Sequence, residues 1–393
     1  MGLFSKTRRD LLGIDIGTYA IKLAHVGPSR HGFELCHFAS TRTPPGAVMD
    51  GVVTDTHAVA AALQDLVAAT GTTVRHVATA VGGPRVIARP HLMAPAKDQK
   101  LRQAVALEAE KFIAFSIDES IVEPQVVGDR VTDVGRQQEV MIVAAQRPMV
   151  ETRVEALEMA GLTPELVDAE PFALLRSVVY GSDDPDVVEG SVGIVRLGED
   201  YGDITVVTRG CYVLSRTLPI AGESLTNAIR QALDVDYAEA ERLKEEYGIA
   251  ATDEVLGELG EQEFAVFNAI HPLLEDLARE IRLSLSFYQS QYQDISGGGT
   301  VQKLILTGGT SMLRNLDEYL TQSIGQPVER YSYVGHLQLG TSRFEPGYIQ
   351  AAEPLMGVAL GLTFTQHMMS NAYSFSVDTG RFGVAIQQRR QQL

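Results

Sequence analysis

Residues 13–22 combine glycine, aspartate, threonine and lysine in an order that suits phosphate binding. A glycine at a tight turn, Gly17, lets backbone N–H groups approach phosphate oxygens, and Thr18 adds a hydroxyl donor. Asp15 can hold a hydrated Mg²⁺ beside the phosphates, and Lys22 can meet a β- or γ-phosphate as a point charge. The competing interpretation is an ordinary tight hairpin whose aspartate caps its own turn.

A second segment, residues 194–202, repeats the pattern of a strand followed by a glycine turn at Gly198. A duplicated glycine hairpin is more specific than a single copy. However, Arg196 stands where the first copy has its aspartate, and arginine contacts phosphate but does not coordinate a metal. Glu199 or Asp200, in the turn itself, is a candidate for the missing carboxylate.

Two further segments could complete a nucleotide site. In residues 304–311 a buried strand leads through Gly308 and Gly309 to Thr310 and a predicted helix, where a flat base or ribose could lie on the backbone. Glu241 and Lys244 lie three apart on one helical face and could bind ribose hydroxyls. A generic strand-to-helix loop and a solvated surface ion pair are the competing interpretations.

Composition excludes several other classes of function. Lys and Arg total 33 against 50 for Asp and Glu, and the net charge of −17 disfavours nucleic-acid binding. Nine scattered histidines and two cysteines form no metal or disulfide pattern, and a Walker loop and a Gly-x-Ser-x-Gly motif are both lacking. The longest apolar run, residues 355–364, is too short to span a bilayer. The sequence therefore predicts a cytoplasmic protein without membrane insertion.

The pattern of apolar residues predicts alternating strands and helices in two halves, and each half begins with a hairpin. In the first half we expect a hairpin over 11–26, a strand at 33–38, a helix over 54–69 and a strand at 77–81. A small α+β insertion follows, with helices over 98–112 and 149–160 and strands near Val126 and at 139–145.

The second half follows a polar linker at 182–189. We expect a hairpin over 192–207, two helices within 224–247 and a long helix over 264–292. A strand at 301–306, a helix opened by the double glycine and an apolar helix over 352–365 complete the pattern.

Taken together, these segments resemble the actin/Hsp70/sugar-kinase ATPase superfamily, whose first phosphate hairpin has the same seven-residue step from Asp15 to Lys22. Within it, the chain most resembles the PilM family of type IV pilus assembly proteins, relatives of the division protein FtsA. The resemblance covers about residues 10–366, and its cues are residues 13–17, 107–115, 167–173, 240–248 and 307–309.

The resemblance implies an α/β, actin-like two-lobe ATPase fold with an inserted α+β subdomain in the first lobe, and ATP with Mg²⁺ as cofactors. The nucleotide-binding residues it implies are Asp15, Gly17, Thr18, Lys22, Gly198, Glu241, Lys244, Gly308, Gly309 and Thr310, with Asp15 holding Mg²⁺ through water. The expected domains are a basic segment 1–10, a first lobe 11–81 and 167–190 with insertion 82–166, a second lobe 191–221 and 300–370 with helical subdomain 222–299, and a polar tail 371–393.

The resemblance also implies a partner. In PilM-like proteins a groove at the insertion receives the short cytoplasmic N-terminal segment of the inner-membrane protein PilN, which ties the scaffold to the pilus inner-membrane complex. The expected groove residues are Leu101, Val105, Phe112, Val140 and Ile142, although core packing explains the same apolar residues. Self-association is left open.

One departure from the family concerns the second hairpin, which usually carries Asp-x-Gly where this chain has Arg196-Leu197-Gly198. We expect ATP binding with little or no hydrolysis. The alternatives are an FtsA-like division protein on the membrane and a small-molecule kinase of the superfamily. Lys6, Arg8 and Arg9 near the start, and three arginines in 381–393, could place the protein at the inner face of the cytoplasmic membrane, and solvated tails are the competing and favoured interpretation.

Overall fold

The computed structural model describes residues 10–29, 32–180, 182–292, 299–333, 337–339, 344, 346–366 and 374–376. The described residues form two compact units. The first takes in those up to Tyr180 and those within Val334–Glu345 and Val358–Leu393. The second takes in those within Gly181–Tyr333 and Pro346–Gly357. The predicted domain limits at 190/191 and at 300–370 differ from these. The predicted basic segment 1–10 and polar tail 371–393 lie outside the described residues, apart from Asp10 and Ser374–Ser376.

The described strands are, in chain order, β1 (Leu12–Ile16), β2 (Ala20–Ser29), β3 (Gly32–Arg42), β4 (Val48–Met49), β5 (Val52–Val53), β6 (His76–Val81), β7 (Val86–Met93), β8 (Ser120–Thr132), β9 (Gly135–Gln146), β10 (Thr163–Ala169), β11 (Ser191–Leu197), β12 (Gly202–Thr208), β13 (Cys211–Leu218), β14 (Lys303–Thr307), β15 (Val328–Arg330), β16 (Gln338–Leu339) and β17 (Ser374–Ser376). The predicted strands are present. β7 and β13 are strands that the sequence pattern did not predict.

The described helices are α1 (Thr56–Thr70), α2 (Asp98–Ala109), α3 (Arg147–Met159), α4 (Glu170–Val179), α5 (Pro185–Val188), α6 (Gly222–Leu233), α7 (Tyr237–Tyr247), α8 (Asp253–Leu256), α9 (Glu261–Tyr292), α10 (Leu316–Ile324) and α11 (Pro346–Thr363). Asp55 caps α1 by accepting from the backbone N–H of Ala58, as the sequence allowed. Across the part of the chain that the structure describes, no helix is long and apolar enough to cross a membrane.

The first unit is built on a seven-stranded sheet in the order β16-β3-β2-β1-β6-β10-β17. β1 and β2 form the antiparallel hairpin, whereas β1, β6 and β10 run parallel to one another. Every residue of β1 is buried, because its alternate side chains pack into the sheet's two faces. Leu12, Ile14 and Ile16 join α1 residues such as Leu63 in one core. The hairpin turn is therefore held at the end of a rigid central strand.

Backbone packs directly on backbone where α11 meets this sheet. A Cβ atom added at Gly13 would lie 1.9 Å from the carbonyl oxygen of Ala359, and one added at Gly361 would lie 1.7 Å from that of Ala173. Arg176 in α4 is fully buried, forms an ion pair with Asp168 and donates from Nε to the Gly361 carbonyl at 3.1 Å. Small residues and one buried ion pair thus fix α11 on β1 and α4.

The insertion is a three-stranded sheet in the order β7-β9-β8, with α2 packed on one face. Leu101 and Val105 of α2 meet Val140 and Ile142 of β9 in a small core. β7 carries Arg89 and Pro90 in the middle of its sequence, and this interrupts the apolar alternation by which a strand is usually predicted.

The second unit contains a five-stranded sheet in the order β13-β12-β11-β14-β15. Its core joins β11, β12 and β14 with helices α6, α7, α9 and α10. The polar segment before β11 was predicted as a linker, but it contains α5 and is tied to the sheet. Lys303 on β14 forms ion pairs with both Asp184, the N-cap of α5, and Glu329 on β15.

Candidate functional site

The turn of the first hairpin brings together the residues predicted there. The Nζ of Lys22 lies 3.0 Å from the Oδ2 of Asp15, and the two residues are directly opposite each other on β2 and β1. The turn closes with a 3.1 Å hydrogen bond from Gly17 N–H to the Ala20 carbonyl. Thr18 lies in this turn, half-buried. The arrangement leaves a compact glycine turn beside one carboxylate and one ammonium group.

A buried arginine that was not predicted from the sequence forms a hydrogen bond to the backbone next to this turn. Arg153 of α3 is only 2% exposed. It donates to the Ile16 carbonyl at 3.0 Å, to the Met149 carbonyl at 3.2 Å and to the Gly51 carbonyl. Arginine on an otherwise amphipathic helix is normally assigned to the solvent face, so no sequence signal marked Arg153.

The second hairpin carries a further carboxylate, at Asp203, besides the two predicted candidates in its turn. Arg196 on β11 lies opposite Asp203 on β12 and donates from Nε to Oδ2 at 2.8 Å. Its guanidinium carbon also lies 4.5 Å from the ring centroid of Tyr201. Glu199 instead accepts a 2.8 Å hydrogen bond from the Tyr237 hydroxyl.

The Gly198 turn is surrounded by residues from distant parts of the second unit. Its carbonyl accepts from the Gly222 N–H at the start of α6 and from the Thr310 hydroxyl, each at 2.9 Å. Gly308 has φ +92°, and a Cβ atom there would lie 2.3 Å from the Leu197 carbonyl oxygen. Only glycine fits this position. Gly198, Gly308 and Thr310 are therefore neighbours, as a shared site requires.

The double glycine opens a helix, as predicted, but this is a short 3₁₀ helix and not an α-helix. Gly309–Met312 is one short 3₁₀ turn, and α10 begins only at Leu316, after Asn315 in the left-handed conformation. The N–H of Gly308 donates to the Pro354 carbonyl at 2.9 Å. The helix-dipole argument for phosphate binding at this segment therefore does not apply.

Glu241 and Lys244 of α7 belong to a polar cluster beside the same turn. The Lys244 ammonium lies 2.8 Å from Glu241, 2.7 Å from the Thr226 hydroxyl and 3.2 Å from the Gly222 carbonyl. Glu199 is 3.8 Å away, and the side chains of the three charged residues are 11–13% exposed. The cluster is thus not a solvated surface ion pair. Burial raises the pKa of Glu199, although nearby Lys244 opposes that rise.

Four of the five residues predicted for a partner groove lie in the core of the insertion. Leu101, Val105, Val140 and Ile142 are 0–6% exposed. Phe112 is half-buried at the edge of this core, and the guanidinium of Arg89 lies 5.2 Å from its ring centroid. The first four are not accessible to a partner in this structure because α2 covers the β9 face that they occupy.

The described residues supply few ligands for the predicted Mg²⁺. Within the described ranges, no group of three or more His, Cys, Asp or Glu side chains is placed to hold a metal ion. Asp15 offers a single carboxylate, already paired with Lys22. Such a set fits a hydrated ion held partly by a ligand, not a site made by protein groups alone.

The two sheets, each entered through a glycine hairpin, define an actin-like ATPase fold. The ethanolamine utilization protein EutJ from Carboxydothermus hydrogenoformans is similar in fold, with TM-score 0.53, 16% sequence identity and coverage of 91% of this chain and 89% of that chain. The family model described as type IV pilus assembly protein PilM matches residues 13–367, and the chain belongs to this family. The predicted fold and family are both confirmed.

Two further relatives agree with this assignment. A solved structure described as a PilM-PilN type IV pilus biogenesis complex has TM-score 0.78 and 30% identity, covering 91% of this chain and 98% of that chain. The cell division protein FtsA of Pseudomonas aeruginosa is 23% identical over 353 residues, 81% of this chain and 82% of FtsA. FtsA, the predicted alternative, is thus the more distant of these two relatives.

Proposed function

We propose that this protein is a nucleotide-binding scaffold that docks the cytoplasmic N-terminal segment of a PilN-type partner at the inner face of the cytoplasmic membrane. The observation that carries the proposal is the 30% identity to the PilM-PilN complex structure over 91% of this chain. A scaffold of this kind would link the partner's short segment to the rest of the pilus inner-membrane complex.

Nucleotide binding is supported by both units separately. The first supplies the Gly17 turn with Asp15 and Lys22. The second supplies the Gly198 turn, with Thr310 bonded to it. Beside that turn lies the cluster of Glu241 and Lys244, whose groups are of the type that bind ribose hydroxyls. ATP supplies both kinds of group, since it has phosphates that suit a glycine turn and a ribose that suits the cluster.

Asp15 is the residue of the first hairpin that would hold a hydrated Mg²⁺. When bound, it would neutralise phosphate charge and withdraw electron density from the phosphoryl group. Lys22 would move from Asp15 towards a phosphate. Gly17, which has no side chain, would let that phosphate approach the backbone.

Hydrolysis is proposed to be slow or absent. A water attacking the terminal phosphate needs a group that orients it, and the resemblance implies a carboxylate at the second hairpin. Arg196 lies on β11, the first strand of that hairpin. Its Nε donates to the Oδ2 of Asp203 at 2.8 Å. Binding would then change the conformation of the scaffold without a rapid chemical step.

Docking of the partner is assigned to the insertion around α2 and β9. Since four of the predicted groove residues form its core, we assign them a supporting role and leave Phe112 as the residue at the accessible edge. An aromatic side chain at the rim of a small apolar core is suited to packing against apolar residues of an extended peptide.

A titration with a labelled peptide tests this function. The peptide is the cytoplasmic N-terminal segment of a PilN-type protein from the same organism, and its affinity is measured by fluorescence anisotropy with and without ATP. We expect binding that ATP changes by several-fold, and about tenfold weaker binding to Phe112→Ala, equivalent to roughly 1.4 kcal/mol.

The matched control is Val134→Thr, since Val134 is 82% exposed at the far end of the same insertion. Its peptide affinity should equal that of the unchanged protein. Absence of peptide binding, with and without ATP, would contradict the docking role, and absence of ATP binding would contradict the nucleotide role independently.

A further inference from the structure

The turns of the two glycine hairpins share one backbone plan. In each, the glycine N–H donates to the carbonyl three residues later, from Gly17 to Ala20 and from Gly198 to Tyr201, and both hydrogen bonds measure 3.1 Å. The strands on either side pair in antiparallel register right up to these turns. Positions in one hairpin can therefore be compared directly with positions in the other.

Each hairpin also carries one cross-strand ion pair between residues seven apart. Lys22 pairs with Asp15 at 3.0 Å and Arg196 with Asp203 at 2.8 Å. All four side chains are at most 15% exposed. The charges have exchanged strands, because the acid comes first in the first hairpin and the base comes first in the second. The second hairpin is thus a charge-reversed copy of the first.

Despite this exchange, each cation lies beside its turn glycine. A Cβ atom added at Gly17 would lie 3.1 Å from the Nζ of Lys22, and one added at Gly198 would lie 2.9 Å from the Nη1 of Arg196. The absence of a side chain at both glycines makes room for the cation. Both turns therefore combine a glycine with a positive charge directly beside it.

Two neighbours hold the Arg196 guanidinium in place. Asp203 accepts from Nε, and the Tyr201 ring lies against the guanidinium plane at 4.5 Å. Stacking and a charged hydrogen bond fix the orientation of the planar fork before any ligand arrives. A preoriented guanidinium matches the geometry of phosphate oxygens, and it binds them without a metal ion.

We propose that Arg196 contacts the nucleotide phosphates as the counterpart of Lys22, and replaces a hydrated divalent cation at the second hairpin. This rests on the nucleotide binding proposed above and adds the residue and the metal dependence. The second hairpin then needs no divalent cation to bind phosphate. Removing divalent cations therefore weakens ATP binding less than removing the Arg196 guanidinium does.

The test is isothermal titration calorimetry of ATP binding, with Mg²⁺ and with EDTA, for the unchanged protein and for Arg196→Gln. Loss of one charged hydrogen-bonding group is expected to weaken ATP binding by about 10- to 100-fold in both conditions. The matched control is Arg216→Gln on β13, whose side chain is 44% exposed and pairs with Glu280. Its ATP affinity should not change.

A second variant keeps the ion pair and so guards against a folding defect. Arg196→Asp combined with Asp203→Lys gives the second hairpin the polarity of the first. This variant should bind ATP well only with Mg²⁺, so that EDTA weakens its binding at least tenfold more than it weakens that of the unchanged protein.

The possible results separate the two proposals. If the unchanged protein binds ATP and Arg196→Gln binds it equally well, the role of Arg196 is overturned and the nucleotide role stands. Equal EDTA sensitivity in the charge-exchanged variant and the unchanged protein also overturns it. If the unchanged protein does not bind ATP, both proposals fall, whereas peptide docking is judged by its own titration.

Discussion

Glu199 is a carboxylate in an unfavourable place, and its surroundings determine how it titrates. Burial raises its pKa, and Glu241 raises it further, while Lys244 and the Tyr237 hydroxyl lower it. The net effect of these contributions is a raised pKa for Glu199. The folded protein therefore holds a proton on Glu199 over a pH range, beginning near 4.5, in which the unfolded chain has lost it.

This shift gives a signed prediction for stability. Since the folded state binds the extra proton, the stabilisation from Glu199 is present below the unfolded pKa and is lost as pH rises through the raised folded pKa. Glu199→Gln should remove this part of the pH dependence and should be relatively more stable towards neutral pH. Thermal unfolding recorded from pH 4 to pH 8 measures the effect.

Glu239→Gln is the control, because its sign is opposite. The hydrogen bond from Arg242 lowers the pKa of Glu239, so its contribution is present above the unfolded pKa and is lost as pH falls through the lowered value. Parallel unfolding curves for Glu199→Gln and the unchanged protein across the whole pH range would contradict the burial argument.

At the scale of elements, glycine controls how closely α11 can approach its neighbours. Gly361→Ala would place a Cβ atom 1.7 Å from the Ala173 carbonyl oxygen, so α11 or α4 must move. Overpacking of this kind costs about 1–3 kcal/mol, sometimes more. We expect a lowered midpoint of thermal unfolding, measured by differential scanning calorimetry.

Gly347→Ala tests whether the effect comes from contact and not from helix propensity. Gly347 lies in the same helix, and an added Cβ atom there meets no neighbouring atom within 4 Å. Alanine at an open helical position adds up to about 1 kcal/mol. The unfolding midpoint should stay constant or rise. A fall as large as that of Gly361→Ala would argue against the close-approach explanation.

The elements also show why some of the structure could be predicted and some could not. Both hairpins were predictable because apolar runs broken by one glycine have few other solutions. The carboxylate of the second hairpin was not, since the partner of Arg196 is set by strand register and not by proximity in sequence. Asp203 directly follows Gly202, the last residue of the predicted turn. It therefore lies outside the turn, where the carboxylate was expected.

The buried polar residues were missed for a related reason. Arg153 serves three backbone carbonyls that come from different parts of the chain. β13 was missed because most of its positions are half-buried or exposed and its second half is polar, over Ser215, Arg216 and Thr217, which weakens the strand signal. Local pattern therefore predicts elements well, whereas partners in space depend on topology that a single sequence does not display.

For the whole molecule, the central prediction concerns turnover. If Arg196 and Asp203 neutralise one another beside the Gly198 turn, phosphate release should stay below about 1 s⁻¹, the lower end of ordinary enzyme turnover. A continuous phosphate-release assay measures it. Lys22→Gln, purified in the same way, serves as the control: equal release from both proteins would indicate a contaminating ATPase. Steady turnover above that value, absent from Lys22→Gln, would contradict the proposal.

The double ion pair of Lys303 has a consequence for how the chain can be cut. The segment entering the second unit is attached to β14 and β15 by charge, through Asp184 and Glu329. Added salt weakens partly exposed ion pairs but strengthens apolar burial. Limited proteolysis at residues 182–185 should therefore accelerate with ionic strength while the rest of the unit stays resistant. In Lys303→Met this segment should be cut quickly at every salt concentration. In the unchanged protein, ionic strength would therefore control how readily a protease reaches residues 182–185.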